Sequence, residues 1–295
     1  MFIRVILYYY LFLFSLLCIL AIVCSSYFAV SNTRFPMNEI EDSETFNRMF
    51  PDIANGMLYD MSYSQRNYSI QLPPDFIKHF NNRDTFLDIG SGGGDASIFH
   101  LQNFFGKNVK IVLSDLHPKI NLWEKLTSPT ISYIKEPLDA TNLSNIQTNN
   151  AKIMSCFGSL HHMNEDTIGK ILSQVREKNM IFFIVEPRRF PNILQYLHIL
   201  TLPIFGFLSY TIISLFGSAI VSDNIINGIT RFLIVPFFMT WDHILGASRR
   251  YSLKEIEELA NQKNMKTIHH SDMIFDYYII HHCTFIPNEE LQVKK

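Results

Sequence analysis

The sequence predicts an α/β protein whose mostly parallel sheet is accompanied by two long apolar segments. From residue 84 onwards, short apolar runs alternate with helix-like segments. That order is typical of parallel strands joined by helices. Residues 5–33 contain no charged side chain, and residues 190–248 contain only three. Charged residues make up 18% of the chain, against roughly 25% in an average soluble domain, and the two apolar segments account for the deficit.

Seven strands and four helices follow from the periodicity. The predicted strands are 85–89, 109–114, 132–135, 152–156, 180–185, 267–270 and 277–285. The predicted helices are 96–105, 121–126, 165–178 and 253–262, the last of which begins at a Ser252–Glu255 capping box. The last two strands are separated by a short polar turn around 271–276, so one of them should be antiparallel to the rest.

Charge and cysteine content exclude several classes of function. The chain has 25 basic and 27 acidic residues and no basic stripe, which argues against nucleic acid as a partner. Its four cysteines show no C-x-x-C spacing, so neither a metal site nor a disulfide framework is predicted. Each cysteine is expected to be a small buried apolar residue.

The first apolar segment, residues 5–30, predicts a membrane anchor. About 20 apolar residues suffice to cross a bilayer as a helix, whereas the apolar core of a signal peptide is about 7–15 residues long. The three tyrosines at positions 8–10 suit a membrane interface. We therefore expect residues 1–34 to form an uncleaved single-pass anchor, followed by a linker or lid over 35–83.

The second apolar segment, residues 188–250, has two interpretations. Residues 192–221 carry no formal charge, and the shorter run 225–240 is interrupted by Arg231 and Pro236. The segment is either a membrane-embedded hairpin or an apolar lid over a lipophilic substrate. Strands on both sides of it belong to one sheet, so it crosses a membrane twice or not at all. Because 225–240 is short for a span, a re-entrant or interfacial hairpin is favoured.

The motif that carries chemistry is Asp88-Ile-Gly90-Ser-Gly92-Gly-Gly94-Asp95, between a strand and a helix. Glycines there allow positive φ and close approach of a ligand to the backbone, and the helix start presents free N–H groups. A dinucleotide fingerprint requires G-x-G-x-x-G, and Asp95 breaks that pattern. A phosphate-binding P-loop fails as well, because no G-K-[ST] follows.

The pattern D-x-G-x-G-x-G resembles that of the class I S-adenosylmethionine-dependent methyltransferases, which have a Rossmann-like sheet. The resemblance implies S-adenosylmethionine as cofactor; it is strong over residues 84–187 and loose over residues 250–285. An acid ending the second strand would bind the ribose hydroxyls, because a carboxylate can accept from both oxygens of a diol. The implied cofactor-binding residues are Asp88, Gly90, Ser91, Gly92, Gly94, Asp115, Leu116, Asp139, Ala140 and Phe157.

The resemblance also implies acceptor chemistry at the Leu160-His161-His162 sequence after the fourth strand. Either histidine could position or deprotonate the acceptor, since imidazole titrates near neutral pH. Both could equally support neighbouring residues without any proton transfer. Glu186, at the end of the fifth strand, is interpreted as structural rather than catalytic.

Other residues have alternatives that the sequence leaves open. Asp115 and Asp139 could be capping acids of their loops instead of cofactor ligands. Tyr59, Tyr63 and Tyr68 could form a lid over the cofactor or pack against the core.

The sequence therefore predicts a membrane-associated methyltransferase that transfers a methyl group to a small or lipidic apolar acceptor. S-adenosylmethionine is mainly cytosolic, so the catalytic part should face the cytosol. The expected organisation is an anchor (1–34), a linker or lid (35–83), a cofactor-binding core (84–187), an apolar insert (188–250) and a C-terminal helix with closing strands (251–295). The alternative is a non-catalytic membrane module that retains the same fold.

Overall fold

The structure, a computed structural model, describes most of the chain and divides it into two compact units. The described residues are 2–31, 34–37, 39–66, 80, 84–143, 151–187, 189–190, 192–217, 225–274 and 278–287. One unit is helical and combines residues 1–64 with 189–250. The other contains the sheet and combines residues 65–188 with 251–295.

The sheet unit alternates strands and helices along most of its length. Its strands are β1 (Thr85–Asp88), β2 (Lys110–Leu113), β3 (Ile131–Tyr133), β4 (Ile153–Phe157), β5 (Ile181–Pro187), β6 (Met265–Ile274) and β7 (Tyr278–Pro287). Its α-helices are α4 (Asp95–Phe105), α5 (Ile120–Trp123), α6 (Glu165–Glu177) and α9 (Leu253–Gln262). Short 3₁₀ turns cover Glu124–Leu126 and Leu160–His162.

The strands form one sheet in the order β3-β2-β1-β4-β5-β7-β6. The first five pair in parallel, and β7 is antiparallel to both β5 and β6. The expected α/β fold with a mostly parallel sheet is confirmed. The order reverses direction between β1 and β4, and in such sheets ligands bind beside the carboxyl ends of the strands at the reversal.

The expected turn around 271–276 is wrong for residues 271–274. These residues continue β6, where Ser271 pairs with His281 and Ile274 with Tyr278. Ser271 and Asp272 favour a turn locally, but pairing with a neighbouring strand outweighs such a propensity.

Alternating residues of the central strands bury both faces of the sheet. On one face Leu87, Met154 and Phe182 pack together with α6 and α9 residues. On the other face Phe86, Ile153 and Phe183 join residues of α4 and α5. Strands covered on both sides are apolar throughout, which is why the sequence showed short continuous apolar runs there.

In its described residues the helical unit contains three long helices and two shorter ones. They are α1 (Phe2–Ser31), α2 (Glu44–Met49), α3 (Pro51–Arg66), α7 (Asn192–Phe216) and α8 (Ile225–Arg249), with a 3₁₀ turn at Ile40–Asp42. Buried apolar residues of α1, α7 and α8 share one cluster. Residues of α3 pack with α8 in a second cluster.

The segment after residue 225 is longer than its apolar run indicated. It forms a single helix, Ile225–Arg249, which extends beyond the end of the apolar run at Thr240. The polar residues in this continuation are buried and bound: Asp242 Oδ1 accepts a hydrogen bond from Ile40 N at 2.7 Å. Judged by charge alone, such residues mark the end of an apolar segment. In the structure, their tertiary contacts keep them within the helix.

Within the part of the chain that the structure describes, two helices are long and apolar enough to cross a membrane, judged by length and composition. They contain the windows Tyr8–Tyr27 on α1 and Ile193–Phe216 on α7. Only 33% and 28% of these windows are buried, so neither resembles the core helix of a soluble protein.

Candidate functional site

The glycine loop connects β1 to α4 in a conformation that only glycine adopts easily. Gly90, Gly92 and Gly94 have φ values of 60°, 50° and 83°, all in the left-handed region. A Cβ at Gly90 would lie 3.1 Å from the Cβ of Ser159. At these three glycines, the loop therefore presents only backbone at the carboxyl edge of the sheet.

Hydrogen bonds with neighbouring elements and within the loop itself hold the glycine loop in place. Ser91 N donates to Ser114 O at 3.0 Å, and Gly94 N donates to Ser91 O at 2.7 Å. The indole of Trp123, a fully buried side chain, donates to Gly92 O at 2.9 Å. The loop is thus held in one shape by β2, by α5 and by its own turn, which favours binding of a rigid ligand.

Asp88 lies beneath the loop and is fully buried. Its carboxylate accepts from Ser91 Oγ at 2.7 Å and from Ser155 Oγ at 2.9 Å. Burial raises the pKa of Asp88 from 3.8 to about 6, against the lowering effect of the serine hydroxyls. This placement makes Asp88 a support for the loop rather than a surface for direct contact with a ligand.

Asp115 lies directly beside the glycine loop, as its position after β2 predicts. Its Oδ2 accepts from Gly92 N at 2.9 Å, and its Oδ1 accepts from His117 N at 2.8 Å. Each carboxylate oxygen can accept a further hydrogen bond, so the capping role and a ligand-binding role are compatible. The next residue, Leu116, is 54% exposed.

The loop after β3 reaches the same edge of the sheet. Leu138 N donates to Asp115 O at 2.8 Å, which joins this loop to the one after β2. The side chain of Asp139 is exposed, and its Oδ1 accepts from Thr141 N at 2.8 Å and Thr141 Oγ1 at 2.7 Å. Asp139 therefore caps its own turn, with Ala140 half-buried beside it.

The end of β4 completes the floor of the site. The half-buried ring of Phe157 stacks on His100 with centroids 6.0 Å apart. Ser159 Oγ donates to Gly90 O at 2.8 Å. The segment that leads to the two histidines is thereby joined to the glycine loop.

His161 is bound to Glu186, which the sequence analysis treated as structural. His161 Nδ1 contacts Glu186 Oε1, and Glu186 Oε2 accepts from Leu160 N at 3.1 Å. Glu186 is 1% exposed and His161 is 9% exposed. A carboxylate at Nδ1 favours the tautomer with the proton on that nitrogen, which makes Nε2 the proton acceptor.

The pairing of β4 with β5 explains this contact. Phe157 is paired with Val185, so Glu186 follows directly at the same sheet edge from which the chain turns to His161. The Val-Glu-Pro ending of β5 was visible in the sequence, but the partner of its carboxylate was not. His162 is half-buried, and its ring centroid lies 4.3 Å from that of His161.

The structure therefore brings together most of the candidate residues at one edge of the sheet. The loops that carry Gly90, Gly92, Asp115 and Asp139 are joined by hydrogen bonds. Tyr68 and the side chains of Tyr59 and Tyr63 lie outside the described residues, so their role as a lid stays a prediction.

Comparison with known proteins gives only distant likenesses. No protein-family model and no curated protein sequence matches the chain. Among solved structures, the pyocyanin biosynthetic protein PhzM is 12% identical with a TM-score of 0.42, and the mitomycin 7-O-methyltransferase MmcR is 14% identical with a TM-score of 0.46. The matches cover 72% and 84% of this chain, but only 53% and 59% of those proteins.

A SAM-dependent methyltransferase from Aquifex aeolicus is similar over more of its own length. It is 13% identical, with a TM-score of 0.41, and the match covers 72% of this chain and 88% of that protein. Likeness at this level assigns no activity, substrate or partner to this chain.

Proposed function

We propose that the chain is a membrane-associated methyltransferase that uses S-adenosylmethionine and acts on a small or lipidic apolar acceptor. The observation that carries the proposal is the joining of the glycine loop to Asp115. Three left-handed glycines clear the backbone of side chains, and the carboxylate that hydrogen-bonds to Gly92 N keeps lone pairs for a vicinal diol.

The residues at the sheet edge fit the parts of this cofactor. Gly90, Ser91, Gly92 and Gly94 would enclose its methionine end, and Asp115 would bind the ribose hydroxyls. Leu116 is the one exposed large apolar side chain among the described residues of the sheet unit, and an adenine ring would cover it.

Further contacts would come from Asp139 and Ala140 at the adenine edge and from Phe157 below the methyl group. When bound, the cofactor supplies an electrophilic methyl group on a sulfonium. The protein has mainly to align a nucleophile with that group. Asp88 acts indirectly, by holding Ser91 and thus the loop.

We assign to His161 the role of receiving a proton from the acceptor. Glu186 orients its imidazole and would stabilise the imidazolium that forms when Nε2 takes up a proton. A base of this kind is useful for an acceptor that must lose a proton to become a nucleophile, such as a hydroxyl group. It favours the enzyme over the non-catalytic module, since a scaffold has no use for an oriented base.

Association with a membrane rests on the helical unit. The apolar windows of α1 and α7 are largely exposed, and an exposed apolar surface of this extent marks a site of interaction. An acceptor that resides in the membrane would be apolar or lipidic. Because the cofactor is cytosolic, we place the sheet unit on the cytosolic side.

Calorimetric titration of S-adenosylmethionine into the purified protein tests the cofactor. Asp115→Ala and Gly92→Val are expected to abolish measurable binding, since the first removes the diol acceptor and the second adds a β-branched side chain at φ 50°. Asp166→Ala is the matched control, because Asp166 is an exposed acid on α6 that pairs with Lys170. Binding that persists in both site variants would disprove the assignment.

Turnover separates the enzyme from the non-catalytic module. Labelled methyl transfer into a lipid extract should occur with the wild-type protein. It should be lost with Asp115→Ala and retained with Asp166→Ala. Cofactor binding without transfer to any fraction of the extract would favour the module.

A further inference from the structure

The helical unit has two chemically different outer faces. Of the 24 exposed large apolar side chains among the described residues, eight lie on α1 and nine lie on α7. The α2 and α3 side exposes the charged residues Glu44, Arg48 and Asp52, together with two large apolar side chains, Met49 and Phe50. One face is thus suited to lipid and the other to water.

Both faces lie at the same level along the central helix α8. On the charged side, the rings of Phe46 and Phe238 have centroids 5.0 Å apart, and Phe238 is next to the midpoint of the 25-residue helix. On the apolar side, Gly206 of α7 packs so closely on Thr240 that a Cβ there would lie 3.3 Å from its methyl group. Charged and apolar surfaces therefore flank the middle of α8.

This arrangement conflicts with helices that cross a bilayer. If α7 and α8 were transmembrane, Glu44 and Arg48 would lie beside the bilayer centre, because they flank Phe46. Asp52, which is 68% exposed at its side chain and pairs with Arg231 at 3.8 Å, would lie within the hydrocarbon. An exposed charge at such depth is strongly unfavourable, because the hydrocarbon offers it neither water nor a partner.

We propose that the helical unit lies in one leaflet of the membrane without crossing it. The face formed by α1 and α7 enters the acyl layer, and the face formed by α2 and α3 stays in water. The occupant of the apolar face is the acyl layer of that single leaflet. This arrangement replaces the single crossing by residues 1–34 that the sequence predicts. Under the function proposed above, the leaflet is the cytosolic one.

Two exposed hydroxyl groups on the apolar face are bonded within their own helices, as lipid requires. Ser15 and Thr201 are exposed, and each donates to a carbonyl of its own helix, Leu11 O at 2.8 Å and His198 O at 2.9 Å. Polar groups in hydrocarbon need such internal partners, because no water is available there. Asp242 of α8 points inward instead and is 3% exposed.

Two matched nitroxide probes test the proposal on the full chain in phosphatidylcholine and phosphatidylglycerol vesicles. Met49→Cys lies on the α2 side and Leu208→Cys on the α7 side, and the native side chains are 62% and 60% exposed. Spin relaxation of the Leu208 probe is expected to be accelerated by oxygen, and the probe should be shielded from a water-soluble nickel chelate. The Met49 probe should show the reverse, and spin-labelled wild-type protein gives the background from native cysteines.

Two results would overturn the proposal. A Met49 probe shielded from the nickel chelate would mean that the helices cross the bilayer, and a Leu208 probe open to it would mean that the apolar face does not enter lipid. As an independent check, Tyr8→Cys should not react with an impermeant maleimide added on the side opposite to Met49. Calorimetry with S-adenosylmethionine is run on the same variants, so failure of the proposed function would be seen separately.

Discussion

The two units of this chain treat apolar surface in opposite ways. Among the described residues, Leu116 is the one large apolar side chain that the sheet unit exposes, whereas the helical unit exposes 23. The single exception lies next to Asp115, in the candidate site. In the sheet unit, a single exposed apolar side chain is therefore informative, because it coincides with the candidate site. In the helical unit it is informative only as part of a face.

Buried charge differs between the units as well. In the sheet unit, buried Asp88 supports the glycine loop and buried Glu186 orients His161. In the helical unit, Asp60 binds Ser214 of α7, and Arg249 lies 3.5 Å from Asp42. The first pair of carboxylates serves a site, and the second set of contacts joins helices.

The largest expected effect is a loss of binding to vesicles when charges are introduced on the apolar face. The double variant Phe12→Glu/Leu208→Glu should weaken binding to vesicles about a thousandfold, at about 2 kcal/mol for each charge in the outer hydrocarbon. Both native side chains are mostly exposed, at 62% and 60%, so little packing is lost. Co-sedimentation measures the change. Met49→Glu/Phe50→Glu is the control, and equal loss in both double variants would contradict a two-faced unit.

The next effect concerns the histidines of the sheet unit. His161→Ala should lower the methyl-transfer rate about 10²–10⁴-fold, the usual contribution of a general base. Glu186→Gln should lower the rate in the same direction by a smaller factor, because the imidazole loses its oriented partner. His162→Ala is the control, and cofactor affinity should be unchanged in all three. An equal loss from His161 and His162 would mean that neither is a specific base.

A matched pair of glycines sharpens the role of the loop in stability. Gly94→Ala should lower the free energy of unfolding by about 4 kcal/mol, from backbone strain together with a steric clash. Its φ is 83°, and its new Cβ would lie 2.8 Å from Leu113 Cδ1. Gly106 has φ 88° and ψ 162° with nothing within 4 Å, so Gly106→Ala should cost about 2 kcal/mol from backbone strain alone. Urea unfolding compares the two, and similar costs would show that the loop is loosely packed.

The smallest expected effect is a pH dependence of the sheet unit. Folding raises the pKa of Asp88 from 3.8 to about 6 by burial, so the folded state binds its proton more tightly. That stabilisation is fully present below pH 3.8 and is lost as pH rises through about 6, up to about 3 kcal/mol in all. Asp88→Asn should flatten this part of the profile in urea unfolding between pH 4 and 7. An unchanged slope would indicate that Asp88 is solvated.

Local sequence signals predicted the elements of the sheet unit well. The Ser252–Glu255 capping box is present with both of its hydrogen bonds, and α9 spans the predicted residues 253–262. The strand β5 was expected over 180–185 and is found over Ile181–Pro187. Such features depend on neighbours within a few residues, so the sequence alone suffices to find them.

Features that join distant residues were not predictable in the same way. The pairing of His161 with Glu186 spans 25 positions and depends on the register of β4 and β5. The continuation of α8 past Thr240 depends on partners for Asp242 and Arg249 near residue 40. In each case a polar residue looks like a surface residue until its partner is known.

By itself, the sequence determined that a glycine loop follows an apolar strand, that an acid ends the next strand, and that two segments are unusually apolar. These properties are local, because backbone conformation and hydropathy are set residue by residue. The tertiary structure was needed to show that Asp115 accepts a hydrogen bond from Gly92, that Asp88 lies beneath the loop, and that α2 packs beside the middle of α8. Those relations depend on which residues, far apart in the sequence, pack together in the fold. Hydropathy along the chain does not contain that information.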